Sequence, residues 1–380
     1  MKILLVGEYS RLHNSLKEGL QSLDHDVTIV ATKDGFKNYE LDLPIQKKYE
    51  KGFSKKLKNL IYRLTKIDLE SLQIKKQIID LKPKISDFDV VQFINEASFG
   101  CTASIEKDIF DLISNWNKTV FLLSCGTDYI SIKYANDNKL RYSILTPYKN
   151  GKDRTFLSAY GLKFLQPDFI KLHHHIYNSI IGVIASDLDY HLPLKNHPKY
   201  LGLIPNPINT EQLEFQKLNI KDKIVIFHGI NSNNYFKKGN DIFEEALKII
   251  TKKHSDKVEV LTVRSLPYKD YIKAYNEAHI LLDQIYAYDQ GYNALEAMAK
   301  GKVVFTGAEQ EWLEYYNLTK DTIAINALPN AEHIAKKLEW LIENPDKLIE
   351  ISSNARRFIE EHHDYRNSAK TYLNTWQKHL

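Results

Sequence analysis

A carboxylate at Glu296, a Lys-Gly pair at 238–239 and a turn around Gly291 are the residues of this chain whose types and spacing suit chemistry on a phosphate ester. Residues 288–305 read YDQGYNALEAMAKGKVVF. This predicts a Gly-containing turn, a short helix over 293–300 stopped by Gly301, and a β-branched strand at 303–305. A helix start carries unpaired backbone N–H groups and about half a positive charge, so a diphosphate can sit at Gly291, Tyr292 and Asn293 without a dedicated cation. Glu296, placed in the first turn by this reading, can accept two hydrogen bonds from a vicinal diol such as a ribose; alternatively it complements the helix dipole. Lys238-Gly239 stands ahead of a second expected helix, 241–252, as a further phosphate-type site or as ordinary loop residues.

Such groups need rigid elements behind them, and the apolar pattern supplies these. Residues 2–7 form a buried-type strand ending in Gly7, 15–23 show helical spacing, and 27–31 form a second strand, the opening of a doubly wound sheet. The turn GEYSRLHN lies beyond the carboxyl end of the first strand, where such sheets bind ligands, so Gly7, His13 and Asn14 are candidates to face one; otherwise His13 and Asn14 cap or decorate the helix. Strands at 90–94, 120–123 and 180–185 follow. Asp128 comes just after the second of these, as a cleft-facing acid or as a turn or N-cap residue. His173, His174 and His175 are consecutive and cannot all face one way, which argues against a three-ligand metal site.

Residues 203–209, LIPNPIN, break all periodicity. Beyond them the pattern restarts: KIVIFHG, ending at Gly229, parallels KILLVG, ending at Gly7. Strands at 258–263, 280–283 and 303–305, helix over 331–359 and a last amphipathic helix over 367–380 complete an α/β chain of two doubly wound, Rossmann-like domains facing across a cleft. The expected division is 1–206, completed by 366–380, and 207–365.

Composition narrows the class further. With 380 residues, 43% hydrophobic and 26% charged, and a formal charge of +4, the chain reads as globular and not as a nucleic-acid binder. Cys101 and Cys125 cannot build a disulfide framework, which fits a reducing compartment. The opening MKILLVGEY is too short for a signal-peptide core, and no apolar run approaches membrane-span length, so a cytoplasmic location is expected. Charge is unevenly spread. Residues 46–84 hold twelve Lys and Arg against four Asp and Glu, with Phe53, Leu57, Leu60, Ile61 and Leu64 at helical spacing. Two roles suit such a helix: lying on an anionic bilayer as a peripheral anchor, or packing its apolar stripe into the core.

Taken together, these segments resemble the GT-B glycosyltransferases, in particular the large family 4 type. LDHDV at 23–27 looks like the Leu-Gly-His-Glu-Val ahead of that family's second strand, and IPNPIN at 204–209 like its Ile-Pro-Asn-Gly-Val-Asp linker. Lys238-Gly239 looks like its diphosphate-binding Lys-Gly, and LEAMAKG at 295–301 followed by Val303-Val304 like its signature helix and strand. Asn354-Ala-Arg356 with the terminal helix resembles the segment that crosses back to the first domain. The resemblance implies transfer of a sugar from a UDP- or GDP-linked donor to a glycan, lipid-linked or other hydroxyl acceptor in cell-surface glycan assembly, with retention and without a required metal or cofactor. It implies Glu296 on the ribose, Lys238 on the leaving diphosphate with backbone amides of 291–293 assisting, Gly229 and Gly239 at the donor, and the base near 264–267. Three positions depart from the pattern: Tyr288 stands where the family has a Glu, Asn233 where it has an Arg, and Cys125 where it has a His. Lys237 or Arg264 are candidates for the missing cation, and Asp128 or Asp289 for the missing acid. A nucleotide-sugar 2-epimerase and a non-catalytic nucleotide-sugar-binding subunit are the alternatives within the fold.

Overall fold

The computed structural model describes residues 1–33, 39–153, 161–265 and 268–380. Two sheets with parallel pairing throughout organise them. The first takes β1 (Lys2–Val6), β2 (Asp26–Thr32), β3 (Leu43–Ile45), β4 (Val90–Phe93), β5 (Val120–Ser124), β6 (Val183–Ala185) and β7 (Tyr200–Leu203) in the order 3-2-1-4-5-6-7. The second takes β8 (Ile224–Ile230), β9 (Val258–Arg264), β10 (Ile280–Leu282), β11 (Val303–Thr306) and β12 (Ile325–Asn326) in the order 12-11-10-8-9. Parallel strands need covered crossovers, so their cores read as unbroken apolar runs. Ile3–Val6 and Val303–Phe305 are accordingly fully buried. Strand order reverses beside β1 in one sheet and beside β8 in the other, which sets the two ligand-binding edges against each other.

The helices of the first half are α1 (Leu12–Gln21), α2 (Gly52–Thr65), α3 (Leu69–Asp80), α4 (Ala103–Asn115), α5 (Tyr129–Asn136), α6 (Thr146–Lys149), α7 (Pro167–Ser179) and α8 (Leu188–Leu194). Those of the second are α9 (Asn240–Lys253), α10 (Tyr268–Glu277), α11 (Tyr292–Ala299), α12 (Gln310–Tyr316), α13 (Ala331–Glu343), α14 (Pro345–His362) and α15 (Tyr365–Gln377). The single helix expected over 331–359 is two. Pro345 has no N–H to continue the first helix and occupies the opening turn of the next, after Asn344.

α15 crosses back and packs on α1, burying Tyr372 and Trp376 completely. Gly19 makes that approach possible, because a side chain there would run into the Tyr365 carbonyl and come within 2.8 Å of the Ala369 Cβ. Beside it the linker and the end of α14 run in parallel: Ile208 pairs with Asp364, the Ile208 N–H donates to the His363 carbonyl at 2.7 Å, and His363 Nδ1 donates to the Asn206 carbonyl at 2.9 Å.

α2 stands apart from this core. None of its residues is buried, with Phe53 80%, Leu64 75% and Leu60 54% exposed. The core-packing alternative for its apolar stripe is thereby ruled out. Among the described residues, no helix is long and apolar enough to cross a membrane.

Candidate functional site

A cleft of about 780 Å³ opens between the two sheets' carboxyl edges, floored on one side by the β1–α1 turn and on the other by the starts of α9 and α11. The second-half wall is a compact network. Lys238 Nζ and Asn293 Nδ2 both donate to Asp283 Oδ1, at 2.8 and 3.0 Å, and Thr306 supports the other carboxylate oxygen at 3.4 Å. Asp283 closes β10 and its side chain is 1% exposed, so it is a fixed anchor holding two donors at the cleft face. Gly239 just behind is required: its φ is +74°, and a Cβ there would lie 2.8 Å from Ile285. Gly291 precedes α11 in an extended conformation with no side-chain cap, which leaves the helix's opening N–H groups to the cleft. Gly291, Tyr292 and Asn293 therefore come together with Lys238, as the sequence predicts for a diphosphate cradle. Lys237 lines the same wall, and burial holds its ammonium down to about 8.

Glu296 is placed differently. α11 begins at Tyr292, so Glu296 is in its second turn, in a small hollow beside Arg11 and Asn209, separated from the large cleft by Tyr292. Arg11 reaches this hollow from the first half, where Ser10 and Arg11 both have positive φ, 54° and 82°, at the start of α1. Arg264 turns away from the cleft: it pairs with Glu244 and lies 5.6 Å above the Tyr235 ring. Gly229 lies within β8, and positions 266–267, the rest of the expected base-binding stretch, fall outside the described residues.

Several first-half candidates have internal duties. Asp128 caps α5, accepting the Ser131 N–H at 2.7 Å and the Ser124 hydroxyl, and is 1% exposed; Gly126 and Thr127 line the cleft in its place. His13 is fully buried, its Nδ1 donating to the Gly7 carbonyl at 2.6 Å, and desolvation lowers it to about 4, so it is a neutral core residue. Gly7 turns the chain with φ +87° beneath Ile94, and Asn14 holds Glu8. Neither lines the cleft.

Tyr288 and Asp289 join the two halves. The Tyr288 side chain is 1% exposed; its hydroxyl accepts the Arg141 backbone N–H at 2.7 Å, and the Arg141 guanidinium lies 4.8 Å over its ring. That guanidinium continues to Glu309 and Glu311 at 2.6–2.8 Å, and Tyr142 donates to Glu309. Asp289 accepts the Leu188 N–H at 3.0 Å and the Gln290 N–H at 2.7 Å, while Asp189 accepts the Tyr288 N–H at 3.1 Å. Both Asp289 oxygens are thus used, one bracing the start of α8 and one holding its own turn, and burial pushes its carboxyl up to about 6. An acid role for Asp128 or Asp289 does not fit these contacts.

Among the cleft residues not singled out from the sequence, Asp283, Glu8 and Asn95 stand within two residues of the ends of β10, β1 and β4 and fall under the sheet-edge rule, whereas Lys163 arrives on an isolated turn at Leu162–Leu165.

Residues 237–374 match the model of a family described as glycosyl transferase-like. The whole chain superposes on sucrose-phosphate synthase from Thermosynechococcus elongatus with a TM-score of 0.65, 12% identity, and 100% of this chain and 98% of that one covered. S. aureus TarM, in a form bound to UDP and alpha-GlcNAc-glycerol, gives 0.60 at 12% identity, covering 98% and 99%. Anabaena HepE bound to UDP and glucose gives 0.56 at 12% identity, covering 100% of both. No curated protein matches the chain by sequence. The likenesses carry the fold, two facing doubly wound domains of the GT-B arrangement, and residues 237–374 are similar to a glycosyl transferase-like family.

Proposed function

We propose that the cleft binds a nucleotide sugar, its diphosphate on Lys238, Asn293 and the start of α11, and passes the sugar to a hydroxyl acceptor lodged against the β1–α1 turn. The observation that carries this reading is the Lys238–Asp283–Asn293 network, two donors fixed by one buried carboxylate beside an uncapped helix start. Developing charge on a departing diphosphate is stabilised by such pre-placed donors. UDP-linked sugars are the first donors to test, because HepE and TarM were both solved with UDP. Glu296, on the far side of Tyr292, serves the ribose diol in this reading. Incubation with a panel of UDP- and GDP-sugars tests it. Acceptor-dependent release of nucleotide supports transfer, epimer formation the 2-epimerase alternative, and binding without turnover a non-catalytic subunit.

We further propose that the enzyme works at an anionic membrane face through α2, on a lipid-linked or membrane-proximal acceptor. From 51 to 66 the chain holds six Lys and Arg and no acidic residue, beside the unpartnered Phe53, Leu60 and Leu64. Each basic group near an anionic leaflet contributes about 1 kcal/mol and each inserted large apolar side chain about 1.5–3 kcal/mol. Sedimentation with phosphatidylglycerol vesicles at low salt is expected to carry the protein down, and Phe53→Ser with Leu64→Ser to lower the partition by about a hundredfold. Equal partition onto uncharged phosphatidylcholine vesicles, or none onto either, sinks the proposal.

A further inference from the structure

One carboxylate in the cleft is built differently from its neighbours. Glu8 stands two residues beyond β1, and its Oε2 accepts both the Asn14 N–H at 2.8 Å and the Asn14 side-chain amide at 2.7 Å. One oxygen is thereby fastened to the opening turn of α1. The other, Oε1, is buried with no hydrogen-bond partner, on a residue 8% exposed that lines the 780 Å³ cleft. The other carboxylates lining that cleft are engaged: Asp283 by Lys238 and Asn293, and Asp187 by the Asp189 N–H and the Ser186 hydroxyl. A buried carboxylate oxygen left unpaired is costly, and capping α1 needs only Oε2. A ligand hydroxyl in the cleft would satisfy it.

We propose that Glu8 Oε1 receives the reacting hydroxyl of the acceptor and takes its proton, an assignment that rests on the transferase reading above. As the acceptor oxygen bonds to the anomeric carbon, the bond from that carbon to the diphosphate oxygen breaks. Its electron pair leaves with the nucleoside diphosphate, towards Lys238 and the start of α11, and the hydroxyl proton passes to Glu8. Asn14 is the positioning residue. Desolvation raises the Glu8 carboxyl to about 7 against the pull of Asn14 and the backbone N–H groups of Arg11 and His13, so it changes charge near neutral pH, where a proton acceptor is most effective. The groups facing it do not titrate there. Burial holds His13 of α1 at about 4 and lifts the Cys125 thiol beyond β5 and the Tyr292 phenol of α11 above their ordinary ranges, while Arg11 keeps its charge.

Turnover of whichever panel donor is consumed is measured for the wild type, Glu8→Gln and Glu8→Asp, alongside UDP and GDP binding by calorimetry and thermal melting. Glu8→Gln is expected to lose at least about a hundredfold in kcat with nucleotide affinity and Tm unchanged, and to lose the rise in rate through pH 7. Glu8→Asp, which keeps the charge one methylene further back, is expected to lose about tenfold, and carries the test should Glu8→Gln not fold. Wild-type turnover in Glu8→Gln overturns the assignment, as does a loss traced to weaker nucleotide binding. A wild-type chain that consumes no donor overturns the transferase reading itself, so the two failures are separable.

Discussion

Tyr288 shows how a partner far along the chain decides what a side chain does. Where the resembled family keeps a carboxylate, this chain buries a ring under a guanidinium and hydrogen-bonds its hydroxyl across the cleft. Tyr288→Phe is expected to cost about 1 kcal/mol, the value of one hydrogen bond, whereas Tyr288→Ala opens a cavity and should cost about 3–5 kcal/mol in denaturant melts. On the opposite wall, Lys238→Ala removes the cation that balances buried Asp283. Loss of one partner from such a pair destabilises by roughly 3 kcal/mol, and UDP affinity by calorimetry is expected to fall at least tenfold; unchanged affinity would take Lys238 out of the donor site. The meeting of Lys238 with Gly291–Asn293 on one wall was legible in the sequence because their placement follows from local helix-start geometry. Asp128 was legible in its N-cap alternative, because Ser131 is three residues away. Tyr288 and His13 were not, because what decides their role appears only once the fold is built: Arg141 lies 147 residues from Tyr288, and the Gly7 carbonyl reaches His13 only across the completed turn.

At the scale of elements, continuous apolar runs marked β1, β5 and β11, since a strand covered on both faces tolerates little else. Short edge strands such as β3, three residues in LPI, leave no periodic trace. The 46–84 segment left its two roles open on sequence alone because an amphipathic pattern records a face without recording what covers it; the exposure of α2 decided against the core. α1 and α15 give the complementary case. Gly19 sits in the last turn of α1, where its flexibility costs up to about 1 kcal/mol, and its purpose appears only where the Tyr365 carbonyl and Ala369 close over it. Gly19→Val is expected to force α15 off α1, costing about 1–3 kcal/mol and raising hydrogen exchange along 365–377.

For the whole molecule, the two halves meet through named contacts far apart in the chain: Arg141 with Glu309 and Glu311, Asp289 with the start of α8, Asp189 with the 288–289 turn. Arg141→Ala removes the charged member of this brace. The expected loss is about 1.5–3 kcal/mol of closure, read as a larger radius of gyration in small-angle scattering with the melting of each half unchanged. The passage between the halves has a further property. The chain crosses there twice, once outward at 206–208 and once returning at 363–364, and the two crossings are zipped together by Ile208 and Asp364. A single crossing would act as a swivel, free to twist as well as bend. A two-ply ribbon resists torsion more than bending, so any opening of the cleft is expected to hinge about one line and to return the two walls to the same register.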